Sequence, residues 1–276
     1  MRQPRGFIHP LFPNHLCQLR KAIYGLKQAP RAWFYRFSSF LLSHHFTCNK
    51  SDNSLFIYHQ NNNVIYLLLY VDDIIITGNS SAVINSFIQL FAKYFAMKDL
   101  GDLNYFLGVQ AMLNTKGLFL SQHKYVSDLL SRFHLHTVKS VHTPLATHTS
   151  MSLTDGELLA DATEYRSMIV KRIFRYLQGT LDHGLWLQST TQATCIIAYS
   201  DADWAGCPDT SRSTTGFVVF LGPNLVSWKS KKQSTVSKSF TEAEYRVVAY
   251  TVQDTLHIRS VLFELGFPVR MFLLGL

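Results

Sequence analysis

The run Leu67-Leu68-Leu69-Tyr70-Val71-Asp72-Asp73-Ile74-Ile75-Ile76 constrains this chain more tightly than any other stretch. Consecutive apolar residues of this kind belong to strands covered on both faces of a sheet. Residues 64–71 and 74–77 therefore read as two strands with a pair of carboxylates between them. Ionised carboxylates beside such surroundings need compensation, and a divalent cation is the usual means. Metal-dependent phosphoryl transfer uses carboxylates in this way, holding two ions about 3.5–4 Å apart. An Asp-Asp pair at a hairpin tip is more often a simple turn, and four residues alone prove little. The apolar run, residues 64–76, is broken by the two acids and too short to span a bilayer.

The rest of the chain mixes helical and strand periods. Residues 32–42 read as a helix, with Pro30 near its start. Residues 55–58 read as a strand, followed by the turn-like Asn61-Asn62-Asn63. A helix over 82–95 carries Val83, Ile84, Phe87, Leu90, Phe91 and Phe95 on one side. Residues 105–112 and 118–120 form an expected hairpin around Thr115-Lys116-Gly117, and a helix follows at 124–133. Residues 137–163, rich in Thr, Ser and His, read as a linker. His134, His136, His142 and His148 lie in or beside it without a metal-ligand spacing. A short basic helix is expected at 170–177, ended by Gly179. Strands at 195–199, 217–221 and 225–228 follow, then a long helix at 242–265 stopping at Gly266. The expected class is α+β.

Composition narrows the function classes. Hydrophobic residues make up 47% and charged residues 16% of the 276, which excludes a disordered chain. Cys17, Cys48, Cys195 and Cys207 show no zinc or disulfide spacing. No signal peptide or membrane span is legible, so an intracellular, soluble protein without a membrane partner is expected. The net charge is +8. Residues 1–69 hold eight Lys or Arg against the single acid Asp52, a charge of +7. That asymmetry suits a polyanion, although on charge alone a solvated basic face accounts for it equally well.

A second acidic constellation lies downstream. Period-2 spacing after the 195–199 strand sets Tyr199, Asp201 and Asp203 on one face. Helical spacing aligns Glu244 with Val248, Thr251, Val252 and Thr255, with Glu242 roughly opposite. On spacing alone Thr241-x-x-Glu244 is better read as a capping box than as a site.

Tyr70-Val71-Asp72-Asp73 matches the reverse transcriptase palm motif, and its surroundings resemble the copia class of LTR retrotransposon Pol polyproteins. The run from Lys21 to Trp33, containing Tyr24-Gly25-Leu26-Lys27-Gln28-Ala29-Pro30-Arg31, is similar to the signature upstream of that motif. Met97-Lys98-Asp99-Leu100-Gly101 and Tyr105-Phe106-Leu107-Gly108 resemble the stretch after it, where Leu107 and Gly108 would support the primer terminus. The resemblance implies that Asp72 and Asp73 hold Mg²⁺ (or Mn²⁺), with Asp72 the stronger ligand. It places Tyr70 in the substrate-binding motif and Gln28 near the incoming nucleotide or template, and it sets Lys27 and Arg31 near phosphates. Residues 198–206, 213–216, 226–233 and 241–245 resemble the copia RNase H domain. That resemblance reverses the capping-box preference and makes Asp201 and Glu244 two ligands of a two-metal nuclease. Lys229, Lys231, Lys232 and Lys238, near Trp228, would then contact a nucleic-acid backbone.

The implied arrangement is a partial palm over 1–135, a linker and shortened connection over 136–190, and a truncated RNase H-like domain over 191–276. Implied partners are RNA, DNA or an RNA–DNA hybrid, and other Pol fragments. Several pieces of the family pattern are missing. The palm expects a further aspartate upstream of the Lys21–Trp33 block, and Asp52 lies on the wrong side of it. Asp254 is ten residues beyond Glu244, roughly 15 Å along one helix, and the chain is expected to stop before the strand bearing the next aspartate. Near Ile169-Val170 a long helical stretch is absent. The expectation is a decayed copy, inactive as this chain. The alternatives are an enzyme that takes its missing carboxylate from a partner, and a non-enzymatic nucleic-acid-binding remnant.

Overall fold

Pro30 lies in the first turn of helix α1 (Ala29–Ser43), where its missing N–H costs nothing. The computed structural model describes residues 2–19, 25–145, 152, 161, 163–189 and 195–275. Lys21 to Tyr24 of the upstream signature, and most of the expected linker with His148, lie outside the described residues. Two compact units divide the chain, Met1–Asp99 and Leu100–Leu276.

In the first unit β1 (Phe46–Cys48), β2 (Leu55–Gln60), β3 (Asn63–Tyr70) and β4 (Asp73–Gly78) form an antiparallel sheet in the order β1-β2-β3-β4. Asn61 and Asn62 close the β2–β3 hairpin with φ of 49° and 63°, the left-handed pair that a two-residue loop of this hand requires. Helix α1 and helix α2 (Ser81–Tyr94) pack on one face of the sheet. Phe37, Leu41, Phe56, Ile65 and Leu67 are fully buried there, joined by Phe87, Phe91 and Phe95. The double covering expected of β3 does not form among the described residues. Ile65, Leu67 and Leu69 are buried, while Val64, Tyr66 and Leu68 on the other face are only half-buried. Strand β1 has no period legible in three residues.

The second unit opens with β5 (Tyr105–Phe106), β6 (Val109–Asn114) and β7 (Gly117–Ser121), then α3 (His123–Arg132) and α4 (Thr163–Gly179). The single strand expected over 105–112 is broken at Leu107-Gly108. Both residues have positive φ, 50° and 83°, and turn the chain back on itself between Phe106 and Val109. Helix α4 begins well before the expected residue 170 and runs unbroken through Ile169-Val170. Its first turns carry Tyr165, Met168 and Val170 exposed, and the helix expected from the sequence began only after them. Two arginines of α4 hold the segment before it. Arg175 Nε donates to Lys139 O at 2.7 Å, and Arg172 donates to Thr143 Oγ1 at 3.1 Å. Within the span read as connection, β8 (Gly184–Leu187) pairs with β7, giving a sheet in the order β5-β6-β7-β8.

The last sheet contains β9 (Cys195–Ala202), β10 (Thr214–Leu221), β11 (Asn224–Lys232) and β12 (Arg270–Gly275), in the order β11-β10-β9-β12. The first three strands form an antiparallel meander. Helix α5 (Phe240–Glu264) then crosses over, so that β12 runs parallel to β9. Ile196, Ala198, Phe217 and Val219 form its core with Ile258 and Leu262, and Ala202 packs with Ala243 and Val247. No strand was expected after Gly266, yet one is present. A strand forms at 270–275 because its backbone pairs along the free edge of β9, but its sequence contains no acid. The side-chain amide of Asn224 ties β8 to the meander, accepting from Gln188 N at 2.6 Å and donating to Gln188 O at 3.0 Å.

Candidate metal and nucleic-acid sites

Tyr70 pairs with Asp73 across β3 and β4, leaving Val71 and Asp72 as a two-residue loop. Val71 adopts a φ of 54°. Its carbonyl accepts a hydrogen bond from the Trp33 indole Nε1 at 2.5 Å. The indole is stacked on Phe37 (centroids 5.3 Å apart, 16° between planes) and meets Phe95 edge-on at 5.4 Å. The signature block and the acidic motif are thus joined directly through α1.

Asp72, Asp73 and Tyr70 are all exposed. Burial does not force compensation of these carboxylates, as the apolar flanks suggested, because the hairpin projects them past the end of the sheet. Among the described residues no hydrogen bond or ion pair engages either carboxylate, so four oxygen lone-pair sites remain open on each. Mg²⁺ is commonly held by one or two carboxylates with water and phosphate oxygens completing the octahedron, and this pair fits that role. Asp52, the other acid of the first 73 residues, is committed elsewhere. Its Oδ1 accepts from Ser54 N (2.9 Å) and Ser54 Oγ (2.6 Å), shaping the turn before β2. Among the described residues no three His, Cys, Asp or Glu side chains gather closely enough to hold a metal ion.

Lys27, Gln28 and Arg31 are exposed around the start of α1, with Gln28 at the N-cap position. The Arg31 guanidinium lies over the Tyr35 ring at 5.4 Å and donates to its hydroxyl at 3.2 Å. In the second unit Leu107 and Gly108 form the tip of the β5–β6 hairpin, where Leu107 is exposed.

Strand β9 alternates, with Ser200 and Ala202 buried toward α5 and the exposed Asp201 on the opposite face. Glu244 reaches the same strand end from α5, its Oε1 3.4 Å from Ala202 N. Asp203 lies beyond the strand, its carboxylate accepting from Thr214 N. The cap of α5 sits two residues earlier than the spacing argument placed it. Ser239 Oγ accepts from Glu242 N at 3.1 Å, and Glu242 accepts from Lys238 N at 2.7 Å and pairs with Arg246 at 2.6 Å. These bonds, the Lys238 amide first, lower the carboxyl pKa of Glu242. Glu244 is left free of the cap. Asp254, in line with its expected distance from Glu244, instead accepts from Ser227 Oγ of β11 at 2.6 Å.

The lysines of β11 do not form one patch. Phe217, buried against α5, pairs with Lys229, and Thr215 pairs with Lys231, whereas Trp228 and Lys232 fall on the alternate face. Lys231 is exposed, and the Lys232 ammonium lies 2.8 Å from Cys207 Sγ. The bond from Lys232, aided by Thr210, brings the Cys207 thiol from 9.0 down to about 6. Sequence reasoning missed this pair, the Ser239 cap and the Trp33 bond, since each joins residues through a fold that no local period describes.

The chain belongs to the reverse transcriptase (RNA-dependent DNA polymerase) family, which matches residues 1–147. The resemblance to copia-type retrotransposon Pol polyproteins and the α+β class are both borne out. The chain is 42% identical to the retrovirus-related Pol polyprotein from transposon RE2 of Arabidopsis thaliana, over 96% of its own length and 20% of that protein. It therefore spans about a fifth of that relative. A second Arabidopsis thaliana relative, the uncharacterized mitochondrial protein AtMg00810, is 38% identical over 66% of this chain and 89% of its own length. Among solved structures, a foamy viral protease-reverse transcriptase in complex with dsDNA aligns with a TM-score of 0.38 and 15% identity. That alignment covers 91% of this chain and 51% of the viral one. Among the described residues no helix is long and apolar enough to cross a membrane.

Proposed function

We propose that the chain carries part of a retrotransposon polymerase palm over residues 1–135, a shortened connection over 136–190 and part of an RNase H-like domain over 191–276. The parent activity is RNA-templated DNA synthesis with removal of the RNA strand. The observation that carries this reading is the two-residue hairpin that presents Asp72 and Asp73 exposed and unpaired, held to the signature helix through Trp33. Asp72 and Asp73 would hold Mg²⁺ or Mn²⁺, which when bound would stabilise charge on the oxygens of a transferring phosphoryl group. Tyr70, Lys27, Gln28 and Arg31 would line the path of template and nucleotide, with Leu107-Gly108 on the primer. For the nuclease half, support comes from Asp201 and Glu244 lying at the same end of β9, on its two faces, with Lys231 among the exposed cations for a backbone phosphate.

Two carboxylates without a third position metal poorly, so this chain by itself does not polymerise. The test is primer extension on an RNA template with Mg²⁺ and Mn²⁺ in parallel and Asp72→Ala as control. No extension is expected from the chain alone. Extension abolished by Asp72→Ala would overturn the inactivity. Extension appearing only when an upstream palm segment is added would mark an enzyme completed by a partner. A second reading is a nucleic-acid-binding remnant that uses the +7 charge of residues 1–69, and its RNA affinity would fall steeply with salt.

A further inference from the structure

We propose that Trp33 is a positioning residue, whose indole N–H holds Val71 in its left-handed conformation and thereby sets where Asp72 and Asp73 point. The metal role of the two carboxylates rests on the reading above; the latch itself stands on geometry. A two-residue loop with positive φ at its first position alone normally takes glycine there. This loop has Val71 at φ 54°, and β-branched residues resist that region most strongly. Packing of the Val71 side chain supplies only part of the restraint, because it is 47% exposed. The bond from Trp33 Nε1 to Val71 O, at 2.5 Å, is the one side-chain hydrogen bond made to this loop among the described residues. Its donor is aimed by a ring that Phe37 and Phe95 hold on two sides, so the bond carries the rigidity of the core to the hairpin tip. Phe37 is fully buried, which anchors the chain of contacts.

The test uses the full chain, with Trp33→Phe to keep the ring contacts and delete the N–H, and Val71→Gly to remove the backbone penalty. Amide hydrogen exchange read by NMR is expected to quicken about five- to tenfold at residues 70–73 in Trp33→Phe, with Ile65 and Leu67 unchanged. In the Val71→Gly background the same substitution should change exchange by about twofold at most. Equal acceleration throughout the sheet would reduce Trp33 to a packing residue. No acceleration at the hairpin, or an undiminished effect in the glycine background, would overturn the latch. Titration with Mn²⁺ separates the two ideas. Paramagnetic broadening at Asp72 and Asp73 that needs several-fold more Mn²⁺ in Trp33→Phe supports both. If the unaltered chain shows no broadening there, the metal role fails and exchange alone decides the latch.

Discussion

Lys232 illustrates how one contact redirects a side chain. Its position in a lysine-rich strand suggests a phosphate ligand, yet in the fold its ammonium meets Cys207 Sγ at 2.8 Å. The thiol consequently ionises at about 6, with Lys232 the largest cause and Thr210 the next. A titration followed by thiolate ultraviolet absorbance should show one group ionising near pH 6, and Lys232→Met should move it back toward 9.0. The folded-state value is depressed, so the stability this pair contributes is complete above 9.0 and is lost as pH falls through about 6. Urea unfolding across that window should therefore lose a stability increment toward low pH that Cys207→Ser abolishes. Nothing in the spacing of four scattered cysteines announces this, because Cys207 and Lys232 are 25 residues apart and meet only when β10 and β11 fold.

Helix α5 shows the same limit at the level of an element. The pattern Ser/Thr-x-x-Glu occurs twice, at Ser239 to Glu242 and at Thr241 to Glu244, and helical period alone does not choose between them. The choice is made by what precedes the helix. Gln233 donates to Ala243 O (3.1 Å) and Thr215 Oγ1 (3.2 Å), and it accepts from Ser237 Oγ (2.8 Å), docking the approach to α5. Ser239 is left extended (φ −148°, ψ 162°), as an N-cap must be. Ser239→Ala should cost about 1 kcal/mol in urea unfolding, and Thr241→Ala much less. The reverse ranking would restore the cap to Thr241 and Glu244. Elements with a strong apolar period, such as α2 and β3, were legible almost to the residue. Strand β8, only four residues long, and the first turns of α4 were not.

Among the described residues, the aromatic core of residues 1–99 shares no residue with the clusters around β9, β10 and α5. Phe37→Ala, at a fully buried site, should destabilise the first unit by about 3–5 kcal/mol. Hydrogen exchange should quicken at Ile65 and Leu67 while Val219 and Val247 keep their protection. Uniform loss of protection would mean that the two units unfold as one. The sequence by itself determined the α+β class, the hairpin with Asp72 and Asp73 at its tip, and the family, because these rest on local period, turn chemistry and short ordered motifs. Only the tertiary structure decided the unit boundary at residue 99, the pairing of β12 with β9, and the exposure of the acidic tip. It also set the bond from Trp33 to Val71 and the contact between Lys232 and Cys207. Each of these joins residues distant in the chain through backbone edges or single polar atoms, whose partners are chosen by packing and leave no periodic trace in the sequence.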